Sequence, residues 1–166
     1  MAKHRIALAA VALCLATTAQ AEEEALIGFE VMAPQTALEL AQAAMESCRG
    51  EGFQVAVAVV DRFGLTQVVL RDRFAGPHTV ETAQRKAWTA VSFRTATLEL
   101  EEGSEVGGPI AATRHIPGAL MLGGGVPVES AGSIVGGIGI SGAPGGDADD
   151  ACARAAIDAL VDKLGF

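Results

Sequence analysis

The sequence of 166 residues holds only three histidines, three cysteines and one tryptophan, and these low counts exclude several kinds of site. Cys48 and Cys152 lie outside the N-terminal apolar segment, and no histidine accompanies them at the spacing of a zinc site. The formal net charge of −8 opposes binding to nucleic acid phosphates. Beyond the N-terminal segment no apolar run is long enough to span a membrane. The composition thus argues against a zinc protein, a nucleic-acid-binding protein and a membrane-anchored protein.

Residues 1–21 have the pattern of a secretory signal peptide. A basic Lys-His-Arg run at 3–5 precedes an apolar run at 6–16, and Ala19-Gln20-Ala21 forms a small-x-small cleavage site. The alternative, a buried N-terminal helix, is disfavoured by the polar and acidic residues that follow the run. We predict cleavage after Ala21, a periplasmic or secreted location, and a single domain over residues 22–166.

The two cysteines of the mature chain leave two possibilities open. Cys48 falls at the end of the first predicted helix and Cys152 at the start of the last, so an oxidising compartment would permit a disulfide between them. The alternative is a pair of buried free thiols, because cysteine is a common small core residue.

The order of helical and extended patterns predicts one α/β (α+β) domain. Helical periodicity marks residues 35–50, 79–93 and 95–101, and a last helix with Asp147 as its cap that runs to Leu164. Extended patterns mark 53–60 and 65–71, then a segment that starts at 119–122 and continues through a hairpin around Gly132. Strands joined by tight turns should be antiparallel, so we predict a five-stranded antiparallel sheet flanked by helices.

The stretch 122–156 is rich in glycine, yet its glycines are not spread as in a flexible linker. Gly136, Gly137 and Gly139 lie inside a predicted strand. Glycine within a strand marks a bulge, or a close approach by another backbone or a flat ligand. No G-x-G-x-x-G stands between a strand and a helix, and Ser141 lacks the setting of a nucleophile elbow. The glycines therefore do not indicate a dinucleotide site or a serine hydrolase.

Three sequence blocks carry a resemblance to a known family. They are Ala56–Gly64, Glu81–Ala90 with the pattern E-x-A-x-x-K-A-x-T-A, and the glycine-rich block from Gly124 to Ala155. In this order they resemble the GlcG/HbpS family of small haem-associated proteins, which also occur as the C-terminal domain of PduO. The resemblance covers about residues 35–160 and implies a profilin-like fold. The chain departs from the family pattern after the second strand, where Arg73 and Phe74 replace an acid and a glycine.

The resemblance implies haem as the cofactor, and His78 and His115 are the candidate axial and metal ligands of the mature chain. The family's ligation varies, so neither histidine is assigned over the other, and each has the alternative of an exposed loop residue. We expect the haem slot to lie between the loop 103–118, the cluster Gly123, Gly124 and Gly125, and the start of the helix at Thr79. The backbone amides of that cluster are candidates for an anion-binding nest, with a tight turn as the alternative.

Lys86 is the clearest charged residue within a family block. It has two possible roles, which are pairing with a ligand carboxylate such as a haem propionate, or a structural pair with Glu81 or Asp61. Arg71 and Arg114 are the other candidate partners of a propionate.

The leading hypothesis is a secreted or periplasmic protein that binds haem or a related tetrapyrrole, as a carrier, scavenger or sensor component and as a homo-oligomer. A second hypothesis is an enzyme that uses Lys86 on a 2-hydroxy acid, or that degrades haem. A third is an acidic accessory protein of a periplasmic dehydrogenase, because an acidic surface suits a basic partner. The sequence leaves it uncertain whether the protein is an enzyme, and the leading hypothesis is a non-catalytic binding protein.

Overall fold

The computed structural model describes residues 25–165. The predicted signal peptide lies outside the described residues. Five α-helices are present among them: α1 (Pro34–Gly50), α2 (Thr79–Phe93), α3 (Thr97–Gly103), α4 (Gly146–Ala159) and α5 (Val161–Leu164). The strands are β1 (Ala56–Asp61), β2 (Thr66–Arg71), β3 (Gly125–Ser130) and β4 (Ser133–Ser141), and a short 3-10 helix covers Ala111–His115.

The described residues form one antiparallel sheet of four strands in the order β2-β1-β4-β3. The side chains of the central strand β1 alternate between the two faces of the sheet, and those on both faces are buried. Val57 and Val59 join the core against α1 and α4, whereas Ala58 and Val60 face α2. Helices therefore cover both faces of the sheet, in agreement with the predicted sheet flanked by helices.

The predicted five-stranded sheet is wrong by one strand, because residues 119–122 do not join it. Their backbone groups find partners elsewhere: the Leu120 amide donates to Thr89 Oγ1 at 2.9 Å, and Arg85 donates to the Ala119 carbonyl at 2.8 Å. The Leu122 amide donates to the Leu120 carbonyl at 3.0 Å in a local turn. Side chains of α2 thus provide hydrogen-bond partners for the backbone of Ala119 and Leu120, in a segment whose apolar residues had indicated a strand.

The glycines of β4 allow α2 to lie directly on the sheet. A Cβ atom added to Gly139 would come within 2.0 Å of the Ala83 carbonyl oxygen, and one added to Gly137 within 2.5 Å of Val91. The sequence left open whether a flat ligand or another backbone approaches these glycines, and in the structure it is the backbone of α2.

A disulfide between Cys48 and Cys152 joins α1 to α4, with the two Cα atoms 5.5 Å apart.

The last helix begins at Gly146 with Gly145 in the cap position, so the predicted cap Asp147 is instead a residue of its first turn. The predicted continuous helix also breaks after Ala159, before the short α5. None of the helices within 25–165 has the length and apolar character needed to cross a membrane.

Candidate functional site

An open cleft of about 620 Å³ lies at the end of the sheet where β4 runs into α4. Its walls come from the α1–β1 turn at 52–54, the loop before α2 at 74–79, and the loop 141–146 that leads into α4. Lys86 of α2, Asp149 of α4 and Leu122 complete the lining. Segments far apart in sequence thus meet at one concave surface, which is the usual setting of a ligand site.

A buried ion pair forms the floor of this cleft. The Lys86 side chain is only 1% exposed, and its Nζ lies 2.8 Å from Asp149 Oδ2. Lys86 Nζ also donates to the Ile140 carbonyl at 3.0 Å, and the Ala143 amide donates to Asp149 Oδ1 at 3.0 Å. The pair therefore joins α2 to the last residues of β4 and the first turn of α4.

Burial raises the pKa of the Asp149 carboxyl above its ordinary value of 3.8, because a carboxylate loses hydration in the interior. The positive charge of Lys86 and the hydrogen bonds from Lys86 and Ala143 act in the opposite direction and offset part of that rise. The carboxylate therefore depends on Lys86 to remain charged in this position.

The partner of Lys86 is neither Glu81 nor Asp61, the two structural partners that the sequence had suggested. Asp149 is 63 residues away along the chain, and in the sequence it was only one of several acids at the start of the last helix. The small residues around Lys86 on α2 did indicate that other segments come close to it, but not which ones.

His78 is the histidine that lines the cleft among residues 25–165. It stands just before α2, exposed, with its backbone carbonyl accepting a hydrogen bond from the Thr82 amide at 3.0 Å. The imidazole lies over Gly76, since a Cβ atom added there would come within 2.7 Å of His78 Cε1. Glycine at position 76 thus leaves room for the ring at the cleft wall.

The cluster Gly123–Gly125 lies beside the buried ion pair, and the amides of Gly123 and Gly125 have protein partners. The Gly123 amide donates to Glu101 Oε2 at 2.8 Å, and the Gly125 amide donates to Thr97 Oγ1 at 2.7 Å. A Cβ atom added to Gly124 would come within 2.5 Å of the Asp149 Cβ and 3.0 Å of Lys86 Nζ. The cluster therefore gives the buried ion pair the space it occupies.

The remaining predicted site residues lie away from the cleft lining. His115 ends the 3-10 helix and is exposed, and Arg114 donates to the Ser104 carbonyl at 2.5 Å and to the Glu101 carbonyl at 3.3 Å. Arg71 donates to the Ala75 carbonyl and so braces the loop before α2. The structure brings His78 and Lys86 to one cleft, and it places Arg71, Arg114 and His115 outside that lining.

Sequence reasoning did not identify two parts of the cleft. One is Asp149, discussed above, and the other is the loop 141–146, whose Gly142, Pro144 and Gly145 line the wall. Phe74 also lines the cleft, although in the sequence it was noted only as a departure from the family pattern. The composition of the loop, with Gly142, Pro144 and Gly145, was visible, but its place in the same cleft as His78 depends on the packing of α4.

Comparison with known proteins gives concordant matches. The family model described as "Haem degrading protein HbpS-like" matches residues 32–158. A crystal structure of a double mutant of HbpS from Streptomyces reticuli is 41% identical, with 93% of this chain and 99% of that chain covered and a TM-score of 0.76. The crystal structure of a PduOC:heme complex is 33% identical, with 78% and 94% covered and a TM-score of 0.72.

Among curated proteins, the corrinoid adenosyltransferase PduO of Salmonella typhimurium is 36% identical over 106 residues, which are 63% of this chain and 32% of that protein. The chain therefore spans about a third of the length of the curated relatives it matches.

Proposed function

The chain belongs to the HbpS-like family, and from this membership we propose that it binds haem, or a closely related tetrapyrrole, in the cleft beside His78. The observation that carries the proposal is the exposed imidazole of His78 on the wall of that cleft. The structurally similar PduOC was crystallised as a complex with heme, which supports haem as the ligand class.

The residues of the cleft fit such a group. A volume of about 620 Å³ falls in the range of small-molecule sites. Phe53, Phe74 and Leu122 provide apolar lining, and an imidazole is a common axial donor to haem iron. Haem, when bound, would supply an iron centre, and His78 would hold it. Lys86 is already paired with Asp149, so we assign it to the support of the cleft floor rather than to a propionate.

The disulfide supports export of the protein. Disulfides persist in oxidising compartments and are rare where thiols are kept reduced, and Cys48–Cys152 is buried in the core. Together with the sequence pattern of residues 1–21, this favours a periplasmic or secreted protein that carries, scavenges or senses haem. Mass spectrometry of the protein from cell fractions tests this, and we expect a chain beginning at Glu22 with no free thiol.

The haem proposal is tested by titrating the mature protein with hemin and following its absorbance. We expect a saturable shift of the Soret band that is lost in His78→Ala and kept in His115→Ala. The two histidines are matched controls because both are exposed and neither belongs to the core. A shift lost only in His115→Ala would overturn the assignment of the cleft, and no shift in the wild type would overturn haem binding altogether.

Two further properties are tested with the same samples. The family description names haem degradation, so loss of the Soret band over hours with a reductant, compared with free hemin, tests a degrading activity. We also propose a homo-oligomer, as expected from the sequence; the exposed apolar residues Leu26, Ile27 and Val106 are individual positions that such contacts would cover. Light scattering after size-exclusion chromatography measures the molar mass of the protein and so tests the oligomer.

A further inference from the structure

Phe74 is a large apolar side chain that the fold places in water at the cleft. It is 78% exposed and contributes to the cleft wall, on the same loop as His78. A single exposed phenylalanine is not informative by itself, because monomeric proteins expose many apolar side chains. The exposure of Phe74 is informative only if the hydrogen bonds of its loop keep the ring at the cleft.

The loop that carries Phe74 is anchored on both sides. Asp72 is buried, accepts a hydrogen bond from Arg49 Nε at 3.0 Å, and donates its amide to the Val55 carbonyl at 2.9 Å. Ala75 is buried as well, and its amide donates to the Asp72 carbonyl at 3.1 Å. The residues before and after the pair Arg73–Phe74 are thus anchored by hydrogen bonds and burial, while the Phe74 ring between them points into solvent.

Arg73 adds a positive charge next to this ring. Its guanidinium carbon lies 5.4 Å from the centre of the Phe74 ring, and its side chain is exposed. Other cations near this end of the molecule are engaged, since Lys86 pairs with Asp149, Arg49 pairs with Asp72, and Arg71 binds the Ala75 carbonyl. The guanidinium lies over one face of the ring, which leaves the other face for a flat ring system and keeps a cation beside it for carboxylates.

We propose that Phe74 and Arg73 form a platform at the cleft mouth that selects planar, carboxylate-bearing macrocycles, with the Phe74 ring against the ligand face and the Arg73 guanidinium near its acids. This inference rests on the proposed function, because it concerns the same cleft. It differs in that the platform recognises the macrocycle itself and does not require iron. His78, by contrast, acts only through the metal.

Iron-free protoporphyrin IX separates these two contributions, and its binding can be followed by fluorescence. We expect Phe74→Ala to weaken protoporphyrin IX and hemin by about tenfold each, which is the effect of losing one aromatic contact. We expect His78→Ala to lose the Soret shift with hemin and to weaken protoporphyrin IX by much less than Phe74→Ala does. We expect Arg73→Gln to weaken both porphyrins by a few-fold, and by less at high salt, where exposed charges are screened.

The chain offers a matched control in a second Arg-Phe pair at another turn. Phe63 is 62% exposed, and the Arg62 guanidinium carbon lies 5.9 Å from its ring centre. Phe63 lies outside the lining of the cleft, so Phe63→Ala should leave both porphyrin affinities unchanged.

Three outcomes would overturn the platform. Phe74→Ala could bind protoporphyrin IX as tightly as the wild type while His78→Ala loses hemin, in which case the proposed function stands and the platform fails. Phe74→Ala could instead lower the molar mass in light scattering with unchanged porphyrin affinity, which would make Phe74 a contact between copies. Failure of the wild type to bind either porphyrin would overturn both proposals.

Discussion

Removal of the charge on Lys86 should destabilise the protein by about 3–5 kcal/mol at neutral pH. The substitution Lys86→Met keeps an unbranched apolar side chain in a site that is 1% exposed, but it leaves the Asp149 carboxylate without its ion-pair partner. The magnitude follows from the burial of both groups, because an unpaired buried charge costs several kcal/mol whereas an exposed pair is worth 1 kcal/mol or less, in round numbers.

The same reasoning predicts the pH dependence of the loss. In the wild type burial already raises the pKa of Asp149, and Lys86 offsets part of that rise. Without Lys86 the folded-state pKa rises further above the unfolded value. The favourable contribution of the protonated acid is then fully present below the ordinary pKa of 3.8 and is lost as the pH rises through the folded-state pKa. Lys86→Met should therefore be least damaging in acid and most damaging at neutral pH.

The assay is urea unfolding of the oxidised protein at several pH values, with the slope of the transition compared between variants. The double variant Lys86→Met/Asp149→Asn removes the orphaned charge and keeps an oxygen acceptor for the Ala143 amide, so it should recover about 2 kcal/mol relative to Lys86→Met. A double variant no more stable than Lys86→Met, or a loss that does not change with pH, would refute the buried pair. Lys86 would then be available to a ligand carboxylate.

Three further predictions concern the framework. Reduction, or Cys48→Ala/Cys152→Ala, should lower the free energy of unfolding by about 4.7 kcal/mol, because the cysteines are 104 residues apart; equal denaturation midpoints would contradict this. Gly139→Ala should cost about 3 kcal/mol in the same assay because its Cβ would meet the backbone of α2, whereas Gly50→Ala, with open space around it, should be nearly neutral. Arg94→Gly should raise the melting temperature through a gain of about 1 kcal/mol, since Arg94 has φ 54° at the end of α2; an unchanged melting temperature would indicate that its side chain compensates.

Local patterns were sufficient for most of the fold. The Val-rich run at 53–60 predicted the strand that forms as β1, and helical periodicity placed α1 and α2 within about a residue of their bounds. The prediction of a fifth strand was wrong because residues 119–122 have the composition of a strand, but the backbone groups of Ala119 and Leu120 bond to side chains of α2. The donor that decides this is the Leu120 amide and the acceptor is Thr89 Oγ1; they are 31 residues apart, and no local pattern contains both.

The candidate site could be predicted only in part from the sequence, for the same reason. His78 and Lys86 were recognised as individual residues, but their common cleft exists because α4 packs beside α1 and brings Asp149 under Lys86. The disulfide stayed open at the sequence level since it too depends on that helix packing. Residue types indicated which chemistry was available, and the tertiary contacts determined which residues share one surface.

The cleft separates into a floor and a rim with different physical duties. Lys86 and Asp149 compensate each other's charge and are almost completely buried, so the floor contributes mainly to stability. His78, Phe74 and Arg73 are exposed on an anchored loop, so the rim can contact a ligand without supporting the core. Substitutions on the rim should then change the free energy of unfolding by no more than about 0.5 kcal/mol while they change porphyrin affinity. A rim variant that lost both stability and affinity in proportion would show that this separation does not hold.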